Sequence, residues 1–269
     1  MTRYAIIKPM PDQLDSVQDA DDVAYRALCL GAVIMRGIIE TTLRTLKPDS
    51  PDNEDRLRWS HQAAVQLNKW LVDEKLYAFF SPTEHALFRK EITTWDAADL
   101  RYSSWAVESL GTVMWALEVV QTMPPYDRHF EVNPLVHDIP FYKDIGEFLW
   151  NAGYRSDRDL RQERATSEVW HWRAEIAKSQ KIGAPPPAGL TYEEAIQQQA
   201  QHARQRSIIP SPIDGDFPAF QKAYGDANTA EQLQLEAIAS YRHFALNWIC
   251  GFAVEWDDTP TPIRIQISG

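Results

Sequence analysis

The chain has 269 residues, 44% of them hydrophobic, and 27 basic against 38 acidic side chains give a net charge of −11. Such a hydrophobic share is ordinary for a soluble globule and argues against bulk disorder, and the length can bury a sizeable core in one large domain or two packed halves. The acidic balance has the wrong sign for a uniform nucleic-acid footprint and repels anionic lipid, so the partner that charge favours is a basic protein.

Residues 3–8 (Arg-Tyr-Ala-Ile-Ile-Lys) read as a short strand cut off by Pro9 and Pro11. Asp21 and Asp22 place negative charge at the start of a long helix running to about Leu46. After a loop from Pro48, a second helix is expected from Asn53 to about Leu76. Ser81-Pro-Thr-Glu84 supplies an N-cap, a proline in the first turn and a capping-box glutamate, which predicts a helix over 82–91. The next helix, about 97–121, is apolar nearly all round and should be central. A loop rich in proline and histidine fills 127–140, and a helix from Phe141 to Asn151 follows, closed by Gly153.

Asp157 begins a helix to about Lys181, stopped by Gly183 and the Pro185-Pro-Pro187 run. The segment 182–190 is the best linker within an otherwise single helical domain. Thr191-Tyr-Glu-Glu194 is another capping box, opening a polar helix to about Arg206. Residues 208–228 read as a structured loop with a short helix near 217–224, and Thr229 starts a last helix over 230–252. The tail from Pro262 to Ile267 alternates like a strand and is expected to pair with residues 3–8.

Cys29 and Cys250 both sit in apolar helical runs, so buried free thiols in a reducing compartment are expected. Met1 to Lys8 has no apolar stretch of signal-peptide length, and the apolar run from Ala27 to Met35 is too short to span a bilayer. A cytoplasmic, soluble protein is the expectation.

Four polar residues stand inside the two most apolar, tryptophan-bearing helices: Glu108, Arg242, His243 and Asn247. A charged or amide group in such a setting needs a partner or a task. Glu108 shares a helical stripe with Trp105, Thr112 and Trp115. Its carboxylate either forms a structural ion pair, with Arg242 as the obvious cation, or is tuned for acid–base chemistry. Glu236, Ser240, His243 and Asn247 follow one another at steps of four, three and four along the last helix. A nucleophile on a straight helix lacks the strained turn and oxyanion donors of acyl transfer, so a triad is disfavoured there. Glu168-Val-Trp-His171 has the spacing of a di-iron half-site, but no second copy exists. Arg161, Arg164, Glu168, His171 and Glu175 alternate in charge as on a salt-bridged outer face, so Glu168 and His171 are weak metal candidates and no metal or cofactor is expected. Phosphate loops, Cys-x-x-Cys pairs, H-E-x-x-H and G-x-S-x-G motifs are missing from the sequence.

Several short motifs then follow in a recognisable order: Trp70-Leu71, Phe80-Ser-Pro-Thr-Glu84, Trp105-Ala-Val-Glu108, Trp115-Ala-Leu117, Pro124-Pro125, Trp170-His-Trp172, Arg242 to Trp248, and Trp256-Asp257. Across about residues 24–258 this order resembles DUF4272, a bacterial family of unknown function. The resemblance implies a cytoplasmic helical protein and no particular activity. From the residues themselves the expected fold is all-α and bundle-like, eight to ten helices around a tryptophan-rich core with a small two-stranded patch joining the termini. Two functions remain. One is a non-catalytic interaction protein for a basic partner, with a solid core and an acidic groove. The other is an enzyme or ligand binder with an internal pocket reaching Glu108, Arg242, His243 and Asn247. No oligomeric state follows from the sequence.

Overall fold

The computed structural model describes residues 16–46, 53–186, 189–263 and 265. These form an all-α fold: α1 (Ala20–Arg44), α2 (Asn53–Asp73), α3 (Pro82–Arg89), α4 (Ala97–Ala116), α5 (Val132–Asp138), α6 (Gly146–Asn151), α7 (Asp157–Lys181), α8 (Tyr192–Gln205) and α9 (Thr229–Ile249). No described helix is long and apolar enough to cross a membrane. The expected strand at 3–8 lies outside the described residues, as does half of its expected partner; Pro262, Ile263 and Ile265 carry no strand.

Capping chemistry sets the helix starts. Ser81, Asp96, Thr191 and Asn228 each accept from a backbone N–H of the first turn while the acid three residues on answers to the cap's own N–H. Helix ends are less legible. α4 stops at Ala116, five residues short of expectation, because Glu118 turns left-handed at φ 60° and the N–H groups of Val119 and Val120 fold back on the Met114 carbonyl. Arg155 then covers the exposed carbonyl end. Its Nε donates to the Trp115 carbonyl at 2.7 Å, its Nη2 to that of Gln121 at 3.0 Å, and the guanidinium lies 4.6 Å from the Trp115 ring. Gly153 does not close α6 with a left-handed turn; a Cβ there would meet the tip of the exposed Glu118 side chain at 2.6 Å.

Three further segments depart from expectation. The proline- and histidine-rich stretch contains α5, since Pro134 falls in its first turn, where no N–H is required. The helix expected from Phe141 begins only at Gly146, after Tyr142 adopts φ 64°. Residues 217–223 are not helical, and only a short 3-10 turn, Tyr224–Asp226, follows them. They form a hairpin, β1 (Pro218–Ala219) with β2 (Lys222–Ala223), and Phe220 and Gln221 hold φ 52° and 62° as a two-residue primed turn demands. The Asp127 carboxylate accepts from the Phe220 N–H at 2.8 Å and fixes that turn.

Packing runs as a sequence of neighbours, α1 on α4, α4 on α9 and α9 on α7. Two large apolar cores result among the described residues, beside a small cluster of Val33, Leu87 and Trp95. The larger joins α1, α2 and α4 to the second half of α9 through Leu246, Trp248 and Ile249. The smaller joins α7, α8 and the hairpin to the first half of α9 through Leu235, Ile238 and Ala239. Arg242 and His243 therefore sit where α9 passes from one core to the other, and that position places the polar side chains of interest.

Candidate functional site

Glu108, on the buried side of α4, meets Arg242 of α9 and not His243. Its Oε2 accepts from Arg242 Nε at 2.8 Å, and its Oε1 accepts from the Phe130 N–H at 3.0 Å and lies 3.2 Å from His129 Nδ1. Arg242 in turn donates from Nη1 to the Pro124 carbonyl at 2.6 Å and from Nη2 to that of Arg128 at 2.9 Å. Its guanidinium lies 4.9 Å from both the Tyr126 and Phe130 rings. Both charges are essentially out of solvent, at 1% and 0% exposure. The pair ties the 124–130 segment to α4 and α9. Gly111 allows this closeness, since a Cβ there would meet the Phe130 ring at 2.3 Å.

His129 carries no signal in the sequence and is found only by its contacts. Its side chain is 45% exposed while its Nδ1 rests on the buried Glu108 carboxylate, and its ring lies 5.1 Å from Trp105. Only the long-range contact with Glu108 distinguishes it, and no local spacing signals that contact.

The remaining polar groups of α9 face α7. His243 Nδ1 is 2.9 Å from His171 Nδ1, with the rings edge to face at 73°. His171 Nε2 lies 3.7 Å from Glu175 Oε1, which favours the proton on that nitrogen. His171 Nδ1 then accepts from His243 Nδ1–H, and His243 Nε2 is left as a bare lone pair, consistent with its having no partner among the described residues. Burial, with His171 and Arg164 beside it, pushes the His243 imidazole down to about 2. Burial also lowers His171. Asn247 accepts from Arg164 Nε at 2.8 Å and donates to the Pro260 carbonyl at 2.9 Å.

One sequence expectation needs correction here. The alternating ladder on α7 is not an outer face: Glu168 and His171 are buried, Glu168 paired with Arg164 at 2.8 Å and His171 with His243. Among the described residues no three His, Cys, Asp or Glu side chains converge as metal ligands would. Nor do Glu236, Ser240 and His243 form a chain of hydrogen bonds, because Glu236 pairs with Lys178 at 2.7 Å while His243 faces His171. The four residues Glu108, Arg242, His243 and Asn247 thus divide into a pair facing α4 and a pair facing α7.

An open cleft of about 340 Å³ lies beside them, between α1, α4, α9 and the segment after α9. Tyr102, Ser109, Ser240, Tyr241, Trp256 and Asp257 line it, and Glu108, Arg242, His243 and Asn247 do not. Asp257 is fixed through one carboxylate oxygen, Oδ2, which accepts from the Thr83 N–H in the first turn of α3 at 2.8 Å. Trp256 packs edge-on against Phe244 at 4.9 Å and carries the Arg26 guanidinium 5.1 Å over its ring. Arg26 is itself neutralised in a buried ion pair with Glu84. Burial first, then the nearby Glu84, pushes the Tyr102 phenol up, and Asp257 adds to it. Among the described residues Asp257 is therefore the one charged residue lining the cleft, beside phenol, indole and hydroxyl groups.

A family model described as "Domain of unknown function (DUF4272)" matches residues 5–203. The match takes in Glu108, Tyr102 and α7, and stops short of α9 and the Trp256-Asp257 corner. No curated protein and no solved structure matches the chain.

Proposed function

The chain belongs to the DUF4272 family, and since that description assigns no activity we propose, from the geometry, a non-catalytic binding protein that takes a basic side chain of a protein partner into the cleft beside Asp257. The observation carrying this reading is the Asp257 carboxylate, held by Thr83 among Tyr102, Tyr241 and Trp256 in an open cleft. An ammonium or guanidinium group gains there from one carboxylate and from aromatic faces together. The net charge of −11 would steer such a partner in. The buried ionic groups support the same reading, because Glu108 and Arg242 are engaged by protein partners in one tight network.

Binding to an array of lysine- and arginine-bearing peptides tests the idea. Wild-type protein should bind a subset that Asp257→Asn loses, while the variant keeps the Thr83 contact and the melting temperature. Finding no basic peptide that binds, or binding indifferent to Asp257→Asn, would sink it.

A second reading rests on Glu108 and His129. A buried carboxylate beneath a half-exposed imidazole is an arrangement used to orient a general base. It requires a substrate to reach His129, and it predicts that His129→Gln removes a turnover activity without lowering stability as Glu108→Ala does.

A further inference from the structure

A second cleft, of about 330 Å³, opens at the smaller core between α7, α8, the Asp214-Gly-Asp216 turn and the start of α9. That volume is at the lower end for small-molecule sites. Arg173 of α7 lines it with a side chain that is fully buried. Its Nε and Nη2 donate to the two oxygens of Asp216 at 2.7 Å each, and its guanidinium lies 4.2 Å over the Tyr224 ring. Asp216 also accepts from the N–H groups of Phe217 at 2.7 Å and Gly225 at 2.9 Å. Nη1 of Arg173 has no acceptor among the described residues. A buried charged donor in that state is costly unless something else supplies the oxygen.

The remaining walls decide what that something is. Asp216 already offsets the charge of Arg173, and Lys181 in the lining is outweighed by Glu193 and Asp214, so an anion would enter a cleft of net negative sign. A cation would have to approach Arg173. Gln180, Gln197 and Gln232 instead offer three carboxamides, each able both to donate and to accept. The geometry points to a binding site for a neutral polyhydroxyl ligand, of monosaccharide or small polyol size, with one oxygen accepting from Arg173 Nη1.

Saturation-transfer-difference NMR on the full chain, with glucose, galactose, ribose, glycerol and myo-inositol as separate probes, tests this directly. At least one should receive saturation, and the exposed double variant Gln180→Ala/Gln197→Ala should weaken its binding about tenfold at an unchanged melting temperature. Arg173→Lys should abolish the signal where it folds, and the exposed double variant keeps the test decisive where it does not. Transfer to none of the probes overturns the proposal. So does transfer undiminished in the double variant, or a stronger response to acetate than to any sugar.

Discussion

Replacing Glu108 by alanine puts the buried pair to a quantitative test. Glu108 and Arg242 are 1% and 0% exposed, and the substitution leaves the guanidinium in the core with two backbone carbonyls and no carboxylate hydrogen-bonded to it. Breaking a buried pair from one side costs about 3–5 kcal/mol. The orphaned Phe130 N–H adds a cost of the same kind, since a buried donor without an acceptor is worth about 1–3 kcal/mol. Against a total stability of about 5–15 kcal/mol this is a large fraction. At about 2–4 °C per kcal/mol for a chain of this size, the midpoint should fall by about 10–20 °C. Circular dichroism melts, backed by urea titration, measure it. Glu108→Gln keeps an acceptor for Phe130 and should lose less. Glu108→Leu with Arg242→Met removes both charges and should recover part of the loss. A Glu108→Ala melt within a degree or two of wild type would refute the reasoning, because the pair would then be worth nothing despite its burial.

Acid should act on this protein through two opposed groups. His243 lies near 2 when folded and 6.5 when free, so the folded state excludes its proton and loses about 2 kcal/mol between pH 7 and 5; lowered His171 adds to the loss. Burial pushes the Glu163 carboxyl up to about 7, against the pull of Arg242, so it holds a proton in the folded state and returns about 2 kcal/mol over the same interval. Glu163→Gln should therefore show a steeper acid loss than wild type in urea midpoints taken at pH 7 and 5, and parallel profiles would contradict the assignment. Gly111→Ala should destabilise by about 1–3 kcal/mol, since the new Cβ would lie 2.3 Å from the Phe130 ring; an unchanged melt would mean that Phe130 moves freely. Arg155→Ala removes charge-assisted bonds to the carbonyl end of α4 and should cost about 1.5–3 kcal/mol by the same assay, with a negligible change counting against that capping role.

Helix starts were legible because capping is local: Ser81-Pro-Thr-Glu84 and Thr191-Tyr-Glu-Glu194 carry their partners within three residues. Ends and turns were not, because distant groups decide them. Arg155 terminates α4 from beyond α6, and Asp127 pins the hairpin turn at Phe220 from 93 residues away. The same division holds at the site. The apolar setting of Glu108 and Arg242 marks them as a pair in need of each other, whereas Glu168 and His171 read as surface because their alternating charges match an exposed helix. Only the position of α9 turns that face inward. His129 and Tyr102 carry no sequence pattern of their own, Asp257 only its place in the Trp256-Asp257 motif, and their significance depends on what α4, α9 and the segment beyond bring beside them.

The place of α9 also bears on how the chain is made. Its two halves supply side chains to both cores, and it leaves the ribosome after the other described helices. Until it emerges, α1 and α4 lack one wall and α7 and α8 another, so neither half can complete its burial during synthesis. The nascent chain should therefore dwell as a loosely closed, apolar intermediate that depends on holding factors and then closes in one late step. A polypeptide ending at residue 203, where the family match stops, would stay at that stage: helical by far-ultraviolet spectroscopy, binding hydrophobic dye, and without a cooperative melt.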